Sequence, residues 1–138
     1  EFFIILKPHP GENTKIYYKI LEKYNVTNCK IINDDLFELV FLSSLVISIY
    51  STTILDAICC RKPVIRVKFT NTMPTLPYDE NCVVQSCKLD KLVETITELK
   101  DDPKIREKLL ENGEKFAEQQ YNIYNNDMSL TLKKILES

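Results

Sequence analysis

His9 is the only histidine of the chain, and it stands in Lys7-Pro8-His9-Pro10, directly after the apolar run Phe2–Lys7. Prolines on both sides hold the residue extended, so its ring projects rigidly from a strand end. An imidazole placed there can donate to a phosphate or to a leaving-group oxygen. Lys7 can add charge, or it can snorkel at the strand edge. A lone His-Pro pair is more often a surface turn without a role. It gains weight from a second polar turn, Ser48–Thr53, which carries Ser48, Ser51, Thr52 and Thr53 between an apolar strand and a short helix. A helix starting at Ser51 or Thr52 offers free N–H groups and a partial positive charge. The hydroxyls of Ser51, Thr52 and Thr53 add short donors, and a phosphate or diphosphate suits the spot. The same residues serve equally well as an ordinary helix cap. The expectation is that the two turns face each other across one cleft.

The elements that must position these turns follow from the apolar pattern. Phe2–Lys7, Cys29–Ile32, Leu45–Ile49 and Val64–Val67 are short apolar runs that read as strands, with a fifth over Cys82–Gln85. The first is expected to be buried on both faces. Helices are expected over Lys15–Tyr24, capped by Asn13 or Thr14 and turning in Ile16, Ile20 and Leu21, and over Leu36–Ser44, capped by Asp34 or Asp35. In the latter, Leu36, Leu39, Val40 and Phe41 point inward. A third runs from Ser51 to Cys60, with Arg61 and Lys62 suiting its C-terminal dipole and Pro63 forcing the exit. Phe69–Asn81 reads as a long polar loop. Leu89–Leu99 is amphipathic through Leu92, Val93, Ile96 and Leu99. Asp102-Pro103 starts a helix reaching about Gln120, and Met128–Leu136 reads as a last amphipathic helix. This alternation predicts an α/β fold: one doubly wound parallel sheet with a helical C-terminus, residues 1–138 forming a single domain.

Composition sets the bounds. The chain has 138 residues, 44% hydrophobic and 28% charged, which is enough for one domain with a core of its own. A net charge of −2 gives no bulk electrostatic case for nucleic acid. No apolar run reaches the roughly 20 residues a bilayer crossing needs, and no signal peptide opens the chain. The cysteines, Cys29, Cys59, Cys60, Cys82 and Cys87, show no metal-ligand spacing and are expected as buried, reduced thiols. No metal or cofactor is implied. Glycine-rich phosphate loops are missing, which disfavours a nicotinamide cofactor or an ATPase. Asp56 could reach a sugar hydroxyl but reads better as a solvated helix position. Asp79 and Glu80 read as solvated loop residues, and Tyr50 as core rather than a base-stacking ring. The chain opens directly on a strand, EFFIILKPHP, which suggests an excised domain whose partner lies upstream.

KPHP after the first strand, followed by LVISIYSTTILDAICCRKPVI, resembles the C-terminal donor-binding domain of GT-B glycosyltransferases. The nearest patterns are those of bacterial sialyltransferases and polysialyltransferases, with their HP and Ser/Thr motifs, and of capsule polysaccharide transferases. The resemblance spans residues 2 to 68. It implies a Rossmann-like domain that binds a nucleotide-sugar, with a CMP-linked donor in view. His9 and Pro10 would lie in the nucleotide subsite, His9 near the donor phosphate and acting as hydrogen-bond donor or general acid. Ser51 and Thr52 would hold that phosphate. The catalytic base and the glycan acceptor site would belong to an N-terminal domain, so this piece alone would turn over nothing. The full-length protein would make a surface glycan, capsule or lipopolysaccharide, in the cytoplasm or peripherally at the inner face of the membrane. CDP-glycerol glycerophosphotransferases share a similar D-Y-S-S stretch, but its Asp is missing here. UDP-N-acetylglucosamine 2-epimerases share the fold but carry Ser-Gly-Gly where this chain has Ser-Thr-Thr. A non-catalytic interaction domain of the same fold is the remaining alternative.

Overall fold

The computed structural model describes residues 2–70 and 73–121. The helix expected over Met128–Leu136 lies outside the described residues. Strands and helices alternate as the apolar pattern requires, and every strand pairing is parallel. The strands form two sheets, one of two strands and one of three, where the sequence predicts one. The chain divides correspondingly into two compact units, Glu1–Leu42 and Ser43–Ser138.

In the first unit β1 (Ile4–Leu6) pairs with β2 (Cys29–Ile31), in the register Ile4↔Cys29 and Leu6↔Ile31. Between them runs α1 (Lys15–Lys23). The Asn13 carboxamide oxygen accepts the Lys15 N–H at 3.1 Å and starts this helix. It ends with Asn25 in the left-handed region at φ 49°. There the Val26 N–H reaches Leu21 O and the Asn25 N–H reaches Glu22 O, closing the last turn. After β2, Asp35 Oδ1 accepts the N–H groups of Phe37 (2.8 Å) and Glu38 (3.3 Å) and caps α2 (Leu36–Leu42).

Several apolar side chains of this unit stay exposed where the sequence predicts burial. Phe2, Phe3, Ile4 and Ile5 are open, and so are Ile16, Ile20 and Phe41. The physical reason is size. A two-stranded sheet with two short helices has too little surface of its own to bury a strand on both faces.

The second unit carries most of the core. Its sheet runs β3 (Val46–Ser48), β4 (Val64–Lys68), β5 (Gln85–Lys88), with β4 in the middle. The fifth strand thus begins where the sequence expected it to end. Its register shows why: β5 pairs Ile65↔Gln85 through Lys68↔Lys88, and its apolar lead-in Val83-Val84 is buried ahead of the pairing. Ile65 and Val67 project from one face of β4 into a cluster with Leu99 and Leu109, flanked by Leu45, Leu92, Ile96 and Ile105.

Helix α3 (Thr53–Cys59) buries Ile54, Ala57 and Ile58. It ends with Arg61 at φ 54°, and the Lys62 N–H closes back on Ala57 O. The stretch expected as a long loop contains a one-turn helix, α4 (Pro77–Glu80), with Pro77 at its first position. A 3₁₀ turn, Leu89–Lys91, leads into α5 (Leu92–Asp101). Along α5 the inward stripe passes through Leu92, Thr95, Ile96 and Leu99, and leaves Val93 exposed. Thr95 is accommodated because its hydroxyl donates to Lys91 O at 2.9 Å. The long helix α6 (Pro103–Tyr121) starts where expected: Asp102 Oδ1 accepts the Lys104 N–H at 2.9 Å and Pro103 takes the next position. Gly113 faces the packed side of α6, where a Cβ would lie at ordinary contact distance, 3.4 Å from the Ile58 side chain and 3.7 Å from that of Val83.

Candidate functional site

Parallel strands bring their carboxyl ends to one edge, and the two sequence-predicted turns lie at such edges, one in each unit.

In the first unit, Lys7, Pro8, His9 and Pro10 follow β1 and line a cavity of about 140 Å³ with Glu12, Thr14 and Asn33. Asn33 comes from the carboxyl end of β2, so both strands contribute. The turn His9–Glu12 is closed by the Glu12 N–H donating to His9 O at 2.9 Å. Pro10 is pre-set for the first central position of such a turn. Gly11 keeps a negative φ, so the turn does not use glycine's left-handed freedom.

Two contacts hold the histidine, and a third holds the glutamate that takes its N–H. The Gly11 N–H donates to His9 Nδ1 at 3.2 Å. The His9 N–H donates to Glu12 Oε2 at 2.9 Å, and the Tyr17 hydroxyl donates to the same oxygen at 2.8 Å. With Nδ1 accepting, the neutral ring carries its proton on Nε2 and offers a donor outward. The His9 backbone N–H, followed by the Tyr17 hydroxyl, holds the Glu12 carboxyl below its usual value. The same carboxylate pushes the Tyr17 phenol up. Lys7 is half-buried, and His9 and Pro10 are exposed.

In the second unit, Ser51 and Thr52 are exposed at the start of α3, and Thr53 is half-buried. The Ser51 hydroxyl donates to Thr53 Oγ1 at 2.9 Å and accepts the Thr53 N–H at 3.2 Å. The Ile54 N–H goes to Ser51 O. Ser51 therefore caps the helix, and an incoming anion would have to exchange with Thr53 for its hydroxyl proton. Tyr50, expected in the core, is 66% exposed beside this turn. Asp56, expected to be solvated, is half-buried on α3, and burial pushes its carboxyl up.

The polar centre of this unit is elsewhere, on residues the sequence reading passed over. Arg66 is fully buried at 0% exposure in the middle of β4. Its Nε donates to Ile49 O at 3.2 Å and its Nη2 to Pro74 O at 3.1 Å. Its Nη1 pairs with Asp79 Oδ2. The Tyr78 ring lies over it, with 5.8 Å between guanidinium carbon and ring centroid.

Asp79, expected to be solvated, has a side chain only 5% exposed. It also takes the Leu76 N–H at 2.9 Å and the Ser86 hydroxyl, and Lys68 Nζ stands 3.5 Å from its other oxygen. Burial alone would raise this carboxyl. The Ser86 hydroxyl and Leu76 N–H, with the charges of Arg66 and Lys68, outweigh burial and hold it below the usual carboxylate range.

One signal in the sequence points here. The two-residue spacing in VIRVK puts Arg66 with Lys68 on one face of its strand, and in QSCK it puts Ser86 with Lys88 on one face. A buried arginine in a central strand then demands an acid.

All five cysteines are free thiols, Cys59 and Cys82 exposed and the other three half-buried, against the expectation of full burial. The short strands and seven-residue α3 leave too little cover for them. Among the described residues no group of three or more His, Cys, Asp or Glu side chains could hold a metal ion. Among them, too, no helix is long and apolar enough to cross a membrane. Comparison with protein-family models, curated proteins and solved structures finds no match to this chain.

Proposed function

We propose that this chain is the nucleotide-sugar donor-binding part of a glycosyltransferase of the GT-B type, sialyltransferase-like, with the phosphate of the donor held at the KPHP turn. The finer expectation of fold, a doubly wound Rossmann-like domain, goes with this reading. The observation that carries it is the fixed ring of His9. Gly11 occupies Nδ1, Glu12 holds the backbone, and Nε2–H is left to donate at a cavity on the carboxyl edge of two parallel strands. That is the edge where open α/β sheets take ligands. Lys7 adds a cation to the same cavity, and Pro8 and Pro10 remove backbone freedom that an anion would otherwise have to freeze out.

In this reading Nε2–H donates to the leaving phosphate and stabilises the charge that develops on it. The acceptor and the catalytic base come from a separate domain. The resident chemistry here is binding and charge stabilisation, and the substrate is a nucleotide-sugar.

The experiment is a titration of the protein with CMP, CDP, UDP and GDP, followed by thermal stability. A saturable rise with one of them, abolished in His9→Ala, supports the reading. A rise with CMP points to a sialyl donor, and one with UDP to a capsule-type transferase. No rise with any of the four, or a rise untouched by His9→Ala, rejects it.

A further inference from the structure

The carboxyl edge of the three-stranded sheet holds a second polar cavity, of about 290 Å³, bounded by Lys68 at the end of β4 and Lys88 at the end of β5. These two lysines are register partners in the parallel pair. Neighbouring strands lie about 4.8 Å apart, so the register sets two like charges side by side at a sheet edge. Like charges across a strand pair are unfavourable unless something neutralises them.

The nearby carboxylate does so only in part. Asp79 already takes Arg66, Ser86 and the Leu76 N–H, and it meets Lys68 only at 3.5 Å. Lys88 has no ion pair among the described residues. Counting Arg66, Lys68 and Lys88 against Asp79, this face carries an excess of two positive charges. Among the described residues no acidic side chain lines the cavity, whereas Thr70, Thr75 and Ser86 bring hydroxyls and Met73 an apolar wall. Met73 is itself held, its sulfur accepting the Phe69 N–H at 3.3 Å.

We propose that this cavity binds a phosphorylated small molecule, its phosphoryl group bridging Lys68 and Lys88 and its organic part lying along Met73 and Thr75. The volume is near the lower end for small-molecule pockets, which suits a sugar phosphate better than a larger ligand. Ser86 gives its proton to Asp79 and so presents lone pairs to the cavity, a match for a ligand hydroxyl beside the phosphate. The site is built wholly from residues of the second unit and stands or falls apart from the nucleotide reading of His9.

The test is an NMR titration of the full chain with α-glucose 1-phosphate, with inorganic phosphate as a parallel arm. Saturable shifts are expected at the amides of Thr75, Ser86, Cys87 and Lys88, and the sugar phosphate should bind more tightly than inorganic phosphate. Lys68→Gln and Lys88→Gln should each weaken binding tenfold or more, the scale of one charge-assisted hydrogen bond. His9→Ala and Ser51→Ala should leave it unchanged. Lys88 is exposed, so its variant is expected to fold, and an unchanged amide spectrum away from the cavity verifies this. The assignment is overturned by an absence of saturable shifts at these amides. It is overturned equally by binding that survives Lys88→Gln. Inorganic phosphate binding as tightly as the sugar phosphate overturns the organic half of the assignment.

Discussion

Asp79→Asn is the sharpest perturbation the structure offers. It keeps shape and volume and removes one charge. Arg66 then remains in the middle of β4 at 0% exposure with two carbonyl oxygens and no anion. Breaking a buried pair from one side costs about 3–5 kcal/mol, because the surviving charge is left uncompensated. Whole domains are stable by about 5–15 kcal/mol, so about a fifth or more of the total would go. With a urea dependence of about 2 kcal/mol/M, the unfolding midpoint should fall by roughly 1.5–2.5 M.

Arg66→Met leaves Asp79 with Ser86, the Leu76 N–H and Lys68, a better-satisfied remainder, and should cost less than Asp79→Asn. The double variant should be more stable than the sum of the two singles implies, by about 1–3 kcal/mol. The effect must also depend on pH in one direction. The folded Asp79 carboxyl lies below its ordinary value. Its contribution is therefore complete above the range where a free Asp titrates, about pH 4, and is lost as pH falls through the depressed folded value. Urea unfolding of wild type and Asp79→Asn from pH 7 to pH 3 should show the gap close with acid. A variant within about 0.5 kcal/mol of wild type at pH 7, the range of an ordinary surface substitution, would refute the reasoning and return Asp79 to the solvated loop residue its sequence context suggests.

Gly113→Ala should stabilise by about 0.5–1 kcal/mol in urea unfolding, since Ala is the better helix former and its Cβ would meet Ile58 at an ordinary 3.4 Å; Gly113→Val should not. Cys82 sits at φ 51° after α4, with the Val83 N–H closing on Tyr78 O, so Cys82→Gly should relieve left-handed strain. The gain, read from the urea midpoint, should be about 0.5 kcal/mol once the freer unfolded chain is subtracted. Glu12 is held below its usual value chiefly by the His9 N–H, so that bond is complete above the free Glu range and is lost as pH falls through the depressed folded value. The His9 amide resonance should titrate with a midpoint below that of a free Glu, and Glu12→Gln should abolish the titration. Thiol labelling of the native protein should modify Cys59 and Cys82 before Cys29, Cys60 and Cys87.

What could be read from the sequence was local. Asp102-Pro103 at the head of α6, Asn13 at α1 and Asp35 at α2 are side chains acting on backbone groups two or three residues away, and the structure has all three in place. Pro10 and His9 make their turn for the same reason. Tertiary context was not legible. Val93 and Phe41 fit an apolar stripe as well as their neighbours do, but a helix turns about 100° per residue, and only packing decides which neighbour faces inward. Whether Phe3 and Ile5 are covered depends on how many strands share their sheet, a number that no property of FFIIL encodes. Asp79 was missed because a carboxylate in TLPYDEN looks solvated until one asks where the arginine of VIRVK finds its partner.

That partnership gives the second unit its logic. Arg66 ties together three segments that share no strand pairing: Ile49 ahead of the Ser51 turn, Pro74 in the loop after β4, and Asp79 on α4. Two of the bonds end on loops and the third on the one-turn helix α4. A buried cation is an expensive way to join loops, since apolar residues of equal volume hold a core at least as well. Its specific effect is to fix the loop ends against the strand and to draw Asp79 onto Arg66, which leaves Lys88 with no acid among the described residues. Removing Asp79 should thus loosen the Ser51 turn as well as the cavity. Hydrogen exchange at the Thr52 and Thr53 amides, compared in Asp79→Asn and wild type under strongly native conditions, reads that coupling directly. Unchanged protection there would mean that Arg66 holds its loops independently of the acid.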